Sequence, residues 1–278
     1  MTTPDGDFMD IDWSHIGATR CAVLLHGLEG HSRRSYMLGM ARACNRAGWD
    51  VAAVNLRGCG GEPNLLPRSY HHGSSDDCAA VVDHVVSLPY QRIVLIGFSL
   101  GGNVVLKYLG EAQWGKPPQL VAAVAISTPC DVPACARRMD LPESRFYTRR
   151  FITMLCEKLA AKRGLFPDVI NIDGCKALRT FKAFDDRYTA PLNGFKDAED
   201  YWERSSSLPL LGAIAVPTLM ISAADDPFLT PGCFPRKLAR NHRFLTLEVP
   251  RFGGHVGFMG RSRQGVYWHE QRTVSFLN

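Results

Sequence analysis

The sequence predicts an α/β fold: a mostly parallel central sheet flanked by helices, with one helical insertion. Short β-branched apolar runs recur through the first half of the chain, each followed by apolar positions at helical spacing, which is the rhythm of parallel strands joined by right-handed crossovers. At one junction Ile93-Val94-Leu95-Ile96 runs into Gly97-Phe98-Ser99-Leu100-Gly101, so a G-x-S-x-G turn stands between a buried strand and a helix. The rhythm then breaks between Cys130 and Leu208, where no clear strand is read, and resumes at Val216.

In chain order, Asp5-Gly6-Asp7 reads as a hairpin turn and the alternating stretch Phe8 to Trp13 as an edge strand. Residues 20–27 form a buried strand that opens into His26-Gly27-Leu28-Glu29-Gly30. A helix over 36–47 is closed by Gly48. The strand at 49–56 leads into the glycine- and proline-rich loop RGCGGEPN. Ser74 or Ser75, with Asp77, is expected to cap a helix from about Cys78 to Leu88, and Pro89-Tyr90 turns the chain into the central strand. After the elbow, Val104, Val105, Tyr108 and Leu109 mark a helix, WGKPPQ a loop, and residues 120–127 the next strand.

The following stretch predicts a helix over 144–162 and a second helical portion over Cys175 to Phe184. It reads as a helical cap or lid laid over the strand ends, giving an expected core of 1–129 and 209–278 and a cap of 130–208. Tyr147, Phe151, Phe166, Phe181 and Phe195 could line an apolar pocket there, although aromatics at this spacing are most often plain core. Strands at 216–223 and 244–250 complete the sheet.

Composition excludes several classes. A net charge of +5, 46% hydrophobic and 21% charged residues are ordinary for a globular chain of 278 residues. The arginine pairs (Arg137-Arg138, Arg149-Arg150, and Arg261 with Arg263) lack interleaved aromatics and read as solvated faces, so no nucleic-acid partner is expected. Nine scattered cysteines without C-x-x-C suggest free, mostly buried thiols in a reducing compartment. The acidic N-terminus has neither a basic nor an apolar leader region, and no run approaches the ~20 apolar residues of a membrane span. A cytoplasmic enzyme without an integral membrane segment is the expectation. His71, His72, Asp76 and Asp77 raise a metal site, but no second cluster completes a shell, so neither metal nor cofactor is expected.

The chemistry gathers at three points. Ser99 in the elbow turn would hold its hydroxyl proud of the sheet edge, with the Leu100 amide facing the same space. Asp226, directly before Pro227 at a strand end, is preferred over Asp225 as the acid, and His255 lies among glycines after the last strand. The order Ser99, Asp226, His255 is that of α/β-hydrolases and of neither unrelated protease type. The Leu28 amide, in the loop after the first central strand, would supply the second oxyanion donor. His26 and His31 read as structural neighbours of that loop.

The phrases NLRGCGGEPN, HHGSSDD, GFSLGGNVVLKYLGE, FDDRYTAPLNGFKDAEDYW, ADDPF and GGHVGF, with TPDGDF near the start, together resemble the YheT-like (EMB8-type) α/β-hydrolases. The resemblance implies an α/β-hydrolase fold and hydrolysis directed at lipid-like esters; some animal proteins of the wider group carry an N-terminal membrane anchor, which is not expected here. The reading is a serine esterase acting on short- to medium-chain or lipid-like carboxylic esters. Thioester cleavage, acyl transfer, a soluble-metabolite hydrolase and a non-catalytic ligand-binding protein stay open beside it.

Overall fold

The computed structural model describes residues 1–258 and 265–278; the Arg261 and Arg263 pair lies outside the described residues. Seven strands, β1 (Asp10–Ser14), β2 (Arg20–Leu25), β3 (Asp50–Asn55), β4 (Arg92–Phe98), β5 (Leu120–Ile126), β6 (Thr218–Ile221) and β7 (Leu245–Glu248), form one sheet in the order β1-β3-β2-β4-β5-β6-β7. Only β1 runs antiparallel, as an edge strand against β3. It follows a turn in which Gly6 takes φ +82° and donates its amide to the Thr3 carbonyl. The central strands are buried on both faces, as their unbroken apolar sequences require.

Alternate strand residues feed two cores. Cys21, Val23 and Leu25 face one, with α2 (Ser75–Val86) and α3 (Leu100–Gly110); Ala22 and Leu24 face the other, with α1 (Ser35–Arg46). Gly48 closes α1 at φ +82°. Helix α2 departs from expectation at its start. Ser74 makes no capping bond; its Oγ accepts the His71 amide, and Asp77 is drawn away into a buried pair with Arg57.

That arginine also pairs with Asp7, which is fully buried and accepts from Asn64 Nδ2 and the amide of Leu65. The N-terminal hairpin is thereby tied to the glycine-rich loop after β3.

Between β5 and β6 run α4 (Val132–Met139), α5 (Arg145–Arg163), α6 (Phe181–Phe184), α7 (Ala190–Leu192) and α8 (Ala198–Ser205), with a π-helical turn at Asp185–Thr189. The continuous helix expected at Cys175 to Phe184 is instead a 3-10 turn, Cys175–Ala177, and the separate α6. The division falls at Thr180, which is extended and caps α6 by accepting the Ala183 amide. Helices α4 and α8 were not expected from the sequence, although capping residues mark them: Asp131 with Pro133, and Asp197 before Ala198, whose carboxylates accept the Ala134 and Asp200 amides.

The cysteines also correct the expectation of nine free thiols. Cys156 and Cys175 are joined in a disulfide, because α5 and the following turn bring their Cα atoms within 5.9 Å; the other seven are free. The chain ends with α9 (Arg236–Asn241) and α10 (Trp268–Leu277), the latter packing beside α1. No helix among the described residues is long and apolar enough to cross a membrane.

Candidate active site

Ser99 stands between β4 and α3 at φ +52°, ψ −117°, a conformation that side-chain-bearing residues rarely adopt. The turn survives because its glycines allow backbone contact. A Cβ on Gly97 would lie 2.3 Å from the Gly101 carbonyl oxygen, and one on Gly101 would lie 2.5 Å from that of Leu25. Strand, turn and helix are thus pressed onto the end of β2.

His255 comes from the loop after β7, and its Nε2 lies 2.9 Å from Ser99 Oγ. Its Nδ1 lies 2.8 Å from Asp226 Oδ2, so that nitrogen donates to the carboxylate and Nε2 is left to accept. Asp226 has a fully buried side chain and takes a further bond from the Phe228 amide. Asp225 points elsewhere: its Oδ1 accepts the amides of Gly253 and Gly254, fixing the loop that carries His255. The Val256 amide adds a bond to Ser127 Oγ.

The loop after β2 passes directly over the serine, where a Cβ on Gly27 would lie 3.1 Å from that of Ser99. The Leu28 amide has no hydrogen-bond partner among the described residues. Leu100 opens α3, where a first-turn amide has no partner within the helix. Buried polar groups hold this loop. His26 donates from Nδ1 to the Gly27 carbonyl and accepts the Leu56 amide at Nε2, and burial pushes it down to about 3, so it is neutral. Tyr36 Oη accepts the Gly27 amide, and Tyr70 bridges the Glu29 amide and carboxylate. His31 lies at the loop's outer side and its Nδ1 accepts the Arg33 amide.

The four residues of the metal alternative diverge. His71 is packed edge-on against Phe195 and Tyr201, while Asp76 and Asp77 pair with Arg68 and Arg57. His72 turns toward Tyr201 Oη and lines the cavity described next; burial pushes it down to about 4.

Ser99 and His255 open into a cavity of about 230 Å³. Its far wall is built by Val132 and Met139 of α4, Phe151 of α5, Phe181 of α6 and Trp202 of α8, with Phe228 beside His255. Of the five aromatics singled out in the sequence, Phe151 and Phe181 line it; Phe166 packs in a separate cluster and Phe195 against Tyr201.

Residues 23–260 match the alpha/beta hydrolase fold family. The chain belongs to that family. It is an enzyme of the hydrolase kind, and an Escherichia coli (strain K12) relative, the candidate esterase YheT, is 36% identical over 100% of this chain and 83% of its own length, which sets the chain among the YheT-like members. The human phospholipase ABHD3 is 29% identical over 98% of this chain and 68% of its own. Among solved structures, the Pyrococcus furiosus esterase PF2001 superposes with a TM-score of 0.65 over 99% of this chain and 88% of that one, at 18% identity, a likeness of fold.

Sequence reasoning gave no role to three groups that shape this site. Asn103 on α3 donates to the His72 and Ser205 carbonyls and accepts from Ser207, joining the serine's own helix to the end of α8. Its signal lay in being one of two polar residues, Asn103 and Lys107, in an otherwise apolar helix. Tyr36 was unremarkable in the sequence. Asp185 lines the cavity, is buried, and accepts from Thr189 Oγ1 and Trp202 Nε1; burial pushes its carboxyl up to about 7. It stands in FDDRYTAPLNGF, a string that carried the family resemblance but no assigned task.

Proposed function

We propose that the chain is a serine hydrolase of carboxylic esters with short- to medium-chain or lipid-like acyl groups, working through an acyl-enzyme. The observation that carries this reading is the relay from Asp226 through His255 to Ser99 Oγ, at 2.8 and 2.9 Å, opening on an apolar cavity. His255 Nε2 takes the Ser99 proton as Oγ attacks the acyl carbonyl, while Asp226 holds the tautomer and stabilises the imidazolium. The amides of Leu28 and Leu100 receive the oxyanion; a donor of this kind lowers the barrier by ~3 kcal/mol, so the conformation of the loop matters as much as its composition. His255 then returns the proton to the departing alcohol and activates water to release the acid. None of these steps calls on a metal or cofactor.

Residues 130–208 act in this reading as the cap that excludes water over the serine. A cavity of about 230 Å³ is below the ~300–1,000 Å³ of drug-sized pockets and suits a single acyl chain. Esterases, phospholipases and monoacylglycerol lipases among the relatives support the substrate class.

A fluorophosphonate label read by intact mass tests the proposal. One adduct is expected on the wild type and none on Ser99→Ala, with p-nitrophenyl ester turnover falling ~10⁴-fold or more in the variant. Labelling that survives in Ser99→Ala, or a folded wild type that neither labels nor turns over esters with or without detergent, would overturn it.

A further inference from the structure

Helix α5 begins against the grain of helix electrostatics. Its first two turns carry Arg145, Arg149 and Arg150 at the end where the helix dipole is positive, against a single acid, Glu143, in the 3-10 turn Pro142–Ser144 that leads into it. All three are exposed, and none has a carboxylate partner among the described residues. Among them stands Phe146, 73% exposed, with Tyr147 and Leu141 also exposed beside it. Singly, exposed apolar residues mean little; three in one exposed stretch with three cations and one acid are a different matter.

This patch is continuous with the candidate site. Ring centroids step from Phe146 to Tyr147 at 5.8 Å, from Tyr147 to Phe228 at 4.9 Å, and from Phe228 to His255 at 4.5 Å. Three residues before His255 in the chain, Phe252 is 67% exposed with the Arg251 guanidinium over its ring. An exposed ring next to an arginine is thus found both on α5 and in the loop that carries His255.

We propose that this face docks on an anionic phospholipid bilayer. The arginines meet lipid phosphates, Phe146 and Phe252 enter the interface, and the aromatic steps lead an acyl ester from the bilayer to Ser99. The last clause rests on the hydrolase reading; the docking does not. Charge complementarity favours an anionic surface, and the run of rings ending in an apolar cavity favours lipid over an acidic protein or nucleic acid, which would use the cations but not the cavity. A basic residue near such a surface contributes about fivefold in binding, so the three arginines together contribute roughly a hundredfold.

Co-sedimentation of the full chain with phosphatidylcholine vesicles, with and without phosphatidylglycerol, tests this. Expected are binding to the mixed vesicles only, release by salt, a roughly hundredfold loss in the Arg145→Gln/Arg149→Gln/Arg150→Gln variant and a smaller loss in Phe146→Ser. Turnover of soluble p-nitrophenyl acetate should stay at the wild-type level in both variants, which establishes that they are folded. Absence of wild-type binding, equal binding by the triple variant, or retention on an oligonucleotide without vesicle binding would overturn docking. Vesicle binding by a chain that labels with no fluorophosphonate would overturn the hydrolase reading alone.

Discussion

In the sheet, contact is apolar and continuous: every residue of α3 is buried, and β2, β3 and β4 bury nearly all their side chains against two cores. Between β5 and β6, Cys135, Leu211 and Ile214 still join the sheet's core, but α5 to α8 bury their apolar side chains in clusters of their own and reach the rest of the molecule largely through polar joints. Asn103 reaches its end at Ser205 and Ser207; Lys162 donates to Asn64 Oδ1 and to the Pro67 and Arg68 carbonyls; Lys158 pairs with Glu29. The two kinds of contact fail differently. Apolar burial is non-directional and tolerates repacking, whereas removing one partner of a buried polar joint leaves the other unsatisfied. The cavity lies where the two regions meet, so its shape can be altered by loosening the connection while the sheet stays intact.

The sharpest test uses pH. The Asp185 carboxyl, pushed up to about 7 by burial against 3.8 for a free carboxyl, keeps in the folded state a proton that the unfolded chain releases. Its contribution to stability is therefore complete below 3.8 and is lost as pH rises toward about 7. His26, His71 and His72, all held down by burial, act in the opposite sense and lose stability on acidification, so the wild-type profile is a sum of both. The difference between Asp185→Asn and wild type isolates one group. In urea unfolding that difference should favour the variant by up to roughly 4 kcal/mol more at about pH 8 than at about pH 4. A difference independent of pH would remove the acid from the account of the connection.

Asn103→Ala cuts the polar joint itself. A loss of about 3 kcal/mol is expected from the carbonyls and Ser207 groups it leaves unpaired. Hydrogen exchange should quicken first in α8, with β4 still protected. Equal loss of protection in both would mean that the two regions open as one unit, and the contrast drawn above would fail.

Tyr36→Phe asks the least of the fold. It deprives the Gly27 amide of its acceptor while keeping the ring against Phe98. Unfolding free energy should fall by about 1 kcal/mol, whereas kcat on a soluble ester should drop about tenfold as the Leu28 loop loses its hold. A larger fall in stability than in turnover would make Tyr36 a packing residue only.

The same division governs what could be read in advance. Strands buried on both faces announce themselves as unbroken apolar runs, and the elbow is announced by a spacing that only backbone contact explains. The choice of Asp226 over Asp225 came from its position before Pro227, and the geometry puts the first on His255 and the second on the Gly253 and Gly254 amides. Local pattern could not reveal the break in helix at Thr180, the pairing of Cys156 with Cys175, or Asp77 leaving its helix cap for Arg57, because each depends on a partner fixed by tertiary structure. Asp185 is the clearest case: nothing next to it in sequence says that Trp202 will stand over it.

The Asp7–Arg57 tie has a consequence for the order of events during synthesis. Asp7 is made 50 residues ahead of Arg57, and until Arg57, Asn64 and Leu65 have followed, its carboxylate accepts from the neighbouring Phe8 amide alone; Arg57 in turn lacks its closest carboxylate until Asp77 exists. The N-terminal hairpin is made early and seated late. β1 can pair with β3 as soon as Asn55 is made, but the turn around Gly6 is tied down only when the RGCGGEPN loop and the start of α2 have followed.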